Sequence, residues 1–422
     1  MAQLSDDCFA FSGPLLRLDD MERLIAERIA PVAETDRVPL AAARGRVLAA
    51  DVVAPVDLPP FDNSAVDGYA VRHADLKSDA DTRLAISGRL TAGAGEALSL
   101  NAGNAIRIFT GAAMPKGADT VFMQEDVTTD GDAVVVPKGL RRGANRRLAG
   151  EDIAKGAVAL AAGTVLEPQH IALAAALGIT DLNMRRPLKV AIFSTGDEVV
   201  EPGGALPRAA VYDANRYLLR ELLERLGARV TDLGILADDP TSLARALRAA
   251  AAAHDLIVTS GGVSAGEADY VREAVAQIGS LVFWRVAIKP GRPVALGVIR
   301  GEGGSAAFVG LPGNPVAVFV TFVRVVKVLL RRLSGARPQT LLPLPVRSGF
   351  AYKKKKDRRE YVRVALRRGA DGELEAIKHP QDGAGILTSL TQTDGLLEFP
   401  EETTSIARGD HVGFLSYAVL MD

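Results

Sequence analysis

"LKVAIFSTGDE", residues 188–198, is an apolar run that ends abruptly in two hydroxyls, a glycine and two carboxylates. A short apolar run bounded by polar turn formers reads as a buried strand followed by its loop. The stretches after it decide the fold. "DANRYLLRELLERLG" (213–227) has helical spacing, with Asp213 suited to cap it, and "ARVTDLGIL" (228–236) reads as a second strand. Asp239-Pro240 then starts a helix that reaches Ala253. "DLIVTSGG" (255–262) is a third strand and "EADYVREAVAQIG" (267–279) a third helix. Strand–helix alternation of this kind implies a parallel sheet with helices on its faces.

Such sheets bind ligands in the loops beyond their strand C-termini. Here those loops are "STGDEVVEPGG" (194–204), "LADDP" (236–240) and "TSGGVSAGEAD" (259–269), and all three carry carboxylates. Glycine leaves backbone N–H groups open to an anionic or polar ligand. Carboxylates beside them repel an anion unless a cation bridges the two or they serve proton transfer. The combination points to phosphate-like chemistry with a metal.

Outward from this core, Leu15, Leu18, Met21, Leu24, Ile25 and Ile29 are spaced as one face of a helix. Short apolar runs such as "RLAISGRLTAGAG" (83–95) and "GDAVVVPKG" (131–139) predict a β-rich segment to about residue 149. "GAVALAAGTVLEPQHIALAAALGI" (156–179) gives a turn, a helix opened by Pro168 and a stop at Gly178. After the apolar helix "PVAVFVTFVRVVKVLL" (315–330), a Pro-rich linker (335–346) leads to "REYVRVAL" and "HVGFLSYAVL". These predict a small terminal β-domain.

The 422 residues suit two to four domains. Lys+Arg at 50 against Asp+Glu at 51 argues against a dedicated nucleic-acid binder. A single cysteine excludes an intrachain disulfide, and the five scattered histidines lack metal-type spacing. "MAQLSDDCFA" is not a secretory signal, and Arg324 and Lys327 make the 315–330 run a buried helix, not a membrane span. A cytoplasmic location is the expectation.

Five more stretches carry chemistry beside ordinary structural readings. "PPFDNSAVDGYAV" (59–71) and "FTGAAMPKGADTVFMQED" (109–126) are Asx-rich or Pro-Gly turns that also offer Asp67 and Thr110. "AIKPGRPVALG" (287–297) sets Lys289 and Arg292 about a turn: a solvated hairpin, or paired cationic donors. "GLPGNPVAV" (310–318) places Gly313-Asn314-Pro315 at a helix N-terminus, where free amides favour an anion. The run "KKKKDRR" (353–359) is a solvated edge or an attractor of anionic substrate.

Taken together with "GEDI" (150–153) and "YDANRYLL" (212–219), these stretches follow one another in an order that resembles the molybdopterin molybdenumtransferase family, which includes the E domain of gephyrin. The resemblance implies a multidomain α/β plus β fold and a homodimer. Its units are an extended two-segment domain (1–47 and 150–187), an inserted β-rich domain (48–149), an α/β pterin-binding domain (188–335) and a C-terminal β-barrel (336–422). It implies insertion of molybdate into adenylylated molybdopterin, with release of AMP and dependence on Mg²⁺. Molybdopterin adenylyltransferase and molybdoenzyme apoproteins are the implied protein partners.

The family's catalytic positions fall on Asp67, Thr110, Asp152, Glu198, Asp239, Asp269 and Lys289, with Glu198, Asp238 and Asp269 for the metal. Its substrate-binding positions fall on Ser194, Thr195, Gly196, Ser260, Gly261, Gly262, Ser264 and Gly266. They continue through Arg285, Pro290, Gly291 and Arg292 to Pro312, Gly313, Asn314 and Arg363. Three positions depart from the family pattern: Arg285 replaces a common lysine, Ala384 a hydroxyl residue, and Val364 a glycine. Two other classes stay open beside this reading: a receptor-clustering scaffold, and the adenylyltransferase of the preceding step, which needs only the α/β domain.

Overall fold

The structure is a computed structural model that describes residues 4–5, 7–10, 15–32, 34–95, 98–261 and 270–422. Its centre is the strand Lys189–Thr195, in which every residue after Lys189 is buried. Val190 and Ile192 belong to one apolar cluster, Ala191 and Phe193 to another. Successive side chains of a strand point to opposite faces, so this strand is covered on both sides. Lys189–Thr195 pairs in parallel with Arg229–Leu236 on one side and Leu256–Ser260 on the other. Leu256–Ser260 pairs in parallel with Gly304–Leu311.

The six-stranded sheet is completed differently from the all-parallel expectation. Pro293–Gly301 and Gly279–Arg285 continue it as antiparallel strands. Gly301 pairs with Gly304 across a tight hairpin, which needs no crossover helix.

The apolar run from Pro315 forms a buried helix, Pro315–Thr321 and Lys327–Ser334, joined by the π-helical turn Phe322–Val326. It shares a core with the first helix, Leu18–Arg28, whose Leu18, Met21 and Ile25 are buried. Among the described residues, no helix is long and apolar enough to cross a membrane.

Two short pairings tie distant segments together: Thr35–Pro39 with Asp181–Arg185, and Val52–Val53 with Val158–Leu160. Between them lies a six-stranded sheet running, in spatial order, from Thr120–Met123 to Thr128–Asp130. The C-terminal segment closes on itself. Arg359–Arg368 pairs with both Leu374–Lys378 and Gly395–Phe399, while Leu344–Ser348 and His411–Ser416 complete a five-stranded barrel. The multidomain α/β plus β fold with a terminal barrel is therefore present.

The barrel's last helix, Tyr417–Met421, ends on a buried lysine of the α/β core. The Lys327 ammonium donates to the carbonyls of Val419 (3.4 Å) and Leu420 (3.1 Å). Burial, aided by Arg331 and opposed by Asp422, brings its pKa down from 10.5 to about 8. Between those two values the unfolded chain holds a proton that the folded chain has released, so stability rises as pH climbs through this window. Replacing Lys327 by Met should flatten that rise in urea unfolding curves recorded from below pH 8 to pH 10.5. Equal pH slopes in the two proteins would contradict the assignment.

Candidate functional site

Burial on both faces leaves the central strands polar only where they end. Ser194, Thr195 and Gly196 end one strand, Ser260 and Gly261 the next, and Gly313 and Asn314 follow the third. All seven line one cavity of about 610 Å³, together with Glu198 and Asp238. Pro312 lies between Leu311, the last residue of its strand, and Gly313.

Local geometry explains how the acids arrive there. Gly196 has φ +132°, a backbone conformation that side-chain-bearing residues rarely adopt, and this turn lets Glu198 fold back over the strand end. Asp238 accepts a hydrogen bond from the Thr195 hydroxyl. Its neighbour Asp239, expected to be catalytic, instead caps the helix Pro240–Ala253 by accepting from the Ser242 N–H at 2.7 Å. That amide, with the Ser242 hydroxyl, holds its carboxyl below the usual range. Asp239 does not line the cavity.

The cavity wall is held from behind by Arg216. Its buried guanidinium is paired with Asp213 at 2.9 Å, with Glu201 and with Asp232. Asp213 also accepts the Arg216 N–H, so it caps the following helix much as expected. The Ser194 hydroxyl is buried, yet finds no hydrogen-bond partner among the described residues. A buried polar atom left unpaired costs about 1–3 kcal/mol, and a bound ligand can supply the missing partner.

A second group lies at the seam between the sheet and the barrel. Ile288–Lys289 pairs in parallel with Arg359 and Glu360, so the "AIKPG" turn is stitched to the barrel wall. Lys289, Pro290 and Arg363 line a cavity of about 210 Å³. The half-exposed Lys289 ammonium lies 3.4 Å from buried Glu360, which also takes a bond from the Tyr352 hydroxyl. Gly291 has φ +103° and stands where a Cβ would come within 2.4 Å of Thr321. Arg285 and Arg292 are exposed on the same antiparallel edge.

Arg363 is buried and donates to the carbonyls of Gln381 (3.0 Å) and Gly383 (3.3 Å). The loop it holds reaches the neighbouring cavity. There the Ala384 carbonyl accepts the Val316 N–H at 3.0 Å, so this amide at the start of the 315 helix is taken by the barrel and is not free for an anion. Gly385 and Leu387 then line the larger cavity beside Asn314. The basic run at 353–359 forms a turn in which the Lys354 ammonium donates to the carbonyls of Arg358 (2.7 Å) and Glu401 (3.2 Å).

In the inserted sheet, Asp67 accepts from both the Thr110 N–H (2.8 Å) and its hydroxyl (2.7 Å), which lower its pKa. Thus two site candidates distant in sequence meet, although neither lines the strand-end cavity. Asp152 is exposed, and its N–H donates to the Leu58 carbonyl. Gly262, Ser264, Gly266 and Asp269 lie outside the described residues. Among the described residues no group of three His, Cys, Asp or Glu side chains is placed to hold a metal ion. The described carboxylates of the cavity are Glu198, Asp213 and Asp238, and Asp213 is bound to Arg216.

Sequence reasoning passed over Tyr212, Asn215, Tyr270 and Leu387, all of which line the cavity. The stretch "YDANR" was the available signal, since an Asp and an Asn before a helix can turn toward a strand-end loop as readily as cap the helix.

Comparison with known proteins agrees with this architecture. Models described as MoeA N-terminal region (domain I and II), probable molybdopterin binding domain, and MoeA C-terminal region (domain IV) match residues 16–178, 191–332 and 345–417. The molybdopterin molybdenumtransferase of Haemophilus influenzae is 36% identical over 400 residues, covering 94% of this chain and 98% of that protein. That of Nostoc sp. is 36% identical over 385 residues, covering 90% and 88%. The molybdopterin biosynthesis MoeA protein of Pyrococcus horikoshii OT3 superposes with a TM-score of 0.78 at 31% identity, over 96% of this chain and all of that one. With matches in order along nearly its whole length, the chain belongs to the MoeA, or molybdopterin molybdenumtransferase, family.

Proposed function

We propose that this protein is a molybdopterin molybdenumtransferase that inserts molybdate into adenylylated molybdopterin and releases AMP, with Mg²⁺, in molybdenum cofactor biosynthesis. The observation that carries the reading is the strand-end cavity, where hydroxyls, glycines and the carboxylates Glu198 and Asp238 converge. Relatives of this length and similarity bear that enzyme's name. A single-domain adenylyltransferase reading fits less well, because the curated relatives match along both flanking regions as well.

The residues divide the work by charge. Ser194 and Ser260 offer hydroxyl donors, and Gly196 and Gly261 give close backbone approach to a pyrophosphate. Glu198 and Asp238 are hard oxygen donors, and Mg²⁺ is commonly held by one or two carboxylates with substrate phosphates supplying the rest. These two would hold it, with Asp269 as the third candidate. When bound, the ion would neutralise charge on the pyrophosphate as AMP leaves. Lys289 and Arg363 line the seam cavity, and with Arg292 beside the same turn they suit molybdate, an oxyanion.

Asp67, Thr110 and Asp152 belong to another part of the chain, so the reading requires a homodimer in which one subunit's inserted sheet faces its partner's cavity. It also divides the chain into the four units expected from the sequence, with the two short strand pairings as support for the two-segment unit. It places the enzyme in the cytoplasm, passing substrate and product among the adenylyltransferase and molybdoenzyme apoproteins.

Four measurements test this. AMP release from adenylylated molybdopterin should require molybdate and Mg²⁺, and Lys289→Ala should weaken turnover or ligand affinity by roughly 1.5–3 kcal/mol, the range for a lost bond to a charged group. Unchanged affinity for both anions would reduce Lys289 to a structural hairpin residue.

The adjacent acids should separate by assay. Asp239→Ala should lower the melting temperature through its lost cap, whereas Asp238→Ala should lose turnover with the melting temperature unchanged. The reverse pattern would exchange their roles.

Finally, Asp67→Asn and Asp238→Asn should each be inactive alone. Co-refolded, random pairing should restore about a quarter of wild-type activity, because half the dimers carry one intact shared site. No recovery, despite mixed dimers, would place both acids in a single-chain site.

A further inference from the structure

The strand-end cavity has a floor and a rim of opposite character. Its floor is hydroxyl and glycine, but its rim carries four large apolar side chains that remain exposed: Val211 (55%), Tyr212 (44%), Tyr270 (38%) and Leu387 (39%). They come from three separate places, namely the short strand Val211–Tyr212, the first turn of the helix Tyr270–Ile278, and the barrel loop. Exposed apolar groups converging on one cavity mark a surface that a ligand covers, and tyrosines do so for flat rings.

Asn215 adds direction. Its Nδ2 donates to the Gly313 carbonyl at 2.7 Å, which fixes the amide, because a carbonyl requires the nitrogen on that side. The other end must then be Oδ1. That oxygen is buried at the cavity and has no hydrogen-bond partner among the described residues. An oxygen acceptor cannot bind a deprotonated phosphate or molybdate oxygen; it takes an N–H or O–H donor, or a cation such as the Mg²⁺ proposed above. The anion-binding floor therefore does not account for Asn215.

Resting on the proposed function, we propose that Asn215 is a specificity-determining residue that reads the N–H edge of the substrate's pterin, with Tyr212 and Tyr270 covering the ring faces. A pterin presents adjacent donors, its 2-amino group and N3–H, on one edge. Asn215 Oδ1 accepts from that edge, and the pyrophosphate end is left to the serines and glycines of the floor. A ring lacking those donors leaves Oδ1 buried and unpaired, which is how a polar site rejects an analogue.

The test is a ligand–protein double cycle on the full-length protein, read by quenching of pterin fluorescence. The probes are 6-carboxypterin, the same compound methylated at N3 and dimethylated on the 2-amino group so that no N–H remains on that edge, and AMP. Wild-type protein should prefer the unmethylated pterin by about tenfold, the usual size of one hydrogen-bond discrimination. Asn215→Leu should bring that ratio near one while leaving AMP affinity in place. Tyr212→Leu, a change at an exposed residue, should weaken both pterins alike.

A wild type that binds neither pterin, or shows no preference, overturns the inference, as does a preference that survives in Asn215→Leu. Loss of AMP affinity in its place would mean that Asn215 reads adenine, which equally overturns the pterin assignment. Molybdate-dependent AMP release, measured in parallel on the wild type, keeps the two claims apart. Its absence would overturn the proposed reaction without altering the ring-recognition ratios, and its presence with flat ratios would overturn only the role of Asn215.

Discussion

A strand covered on both faces has nowhere to put polar chemistry except at its ends. Val190 and Ile192 face one apolar cluster and Ala191 and Phe193 the other, so the first side chains of Lys189–Thr195 able to meet a ligand are Ser194 and Thr195. The same constraint acts on Leu256–Ser260 and Gly304–Leu311. Because these strands are parallel, their polar ends fall on one edge of the sheet. One packing requirement thus assembles residues distant in sequence into a single cavity. Arg216 then holds the cavity wall through three carboxylates, Glu201, Asp213 before its own helix and Asp232 on the neighbouring strand.

The barrel is part of this arrangement through two seams. Strand pairing at Ile288–Lys289 fastens the cationic turn to the barrel wall, and the Ala384 carbonyl takes the Val316 amide at the head of the buried helix. Arg363 holds the intervening loop by its carbonyls, a role that depends on the guanidinium and not on the residue types at Ala384 or Val364. The departures from the family pattern at those two positions therefore leave the loop's attachment intact.

Much of the fold was legible because the deciding signals are local. Apolar runs ending in "STGDE" and "TSGG" announce buried strands and their loops, and short alternating runs such as "REYVRVAL" announce the terminal β-domain. The antiparallel edge was not legible, since "SLVFWR" looks the same whether its neighbour arrives by hairpin or crossover. Nor could the sequence separate Asp238 from Asp239. The two acids are adjacent before the same proline, and only the helix axis decides which caps Ser242 and which turns to Thr195. Asn215 was hidden for a related reason: its partner Gly313 lies across the chain, so the unpaired Oδ1 exists only in three dimensions.

The central claim is that the strand-end cavity holds the reacting ligand. A crystal structure of the protein with AMP and molybdate tests it most directly. The account predicts ligand density between Ser194, Gly261 and Asp238. Density instead in the arginine-lined cavity formed by Arg46, Arg185 and Arg331, with the strand ends empty, would contradict it.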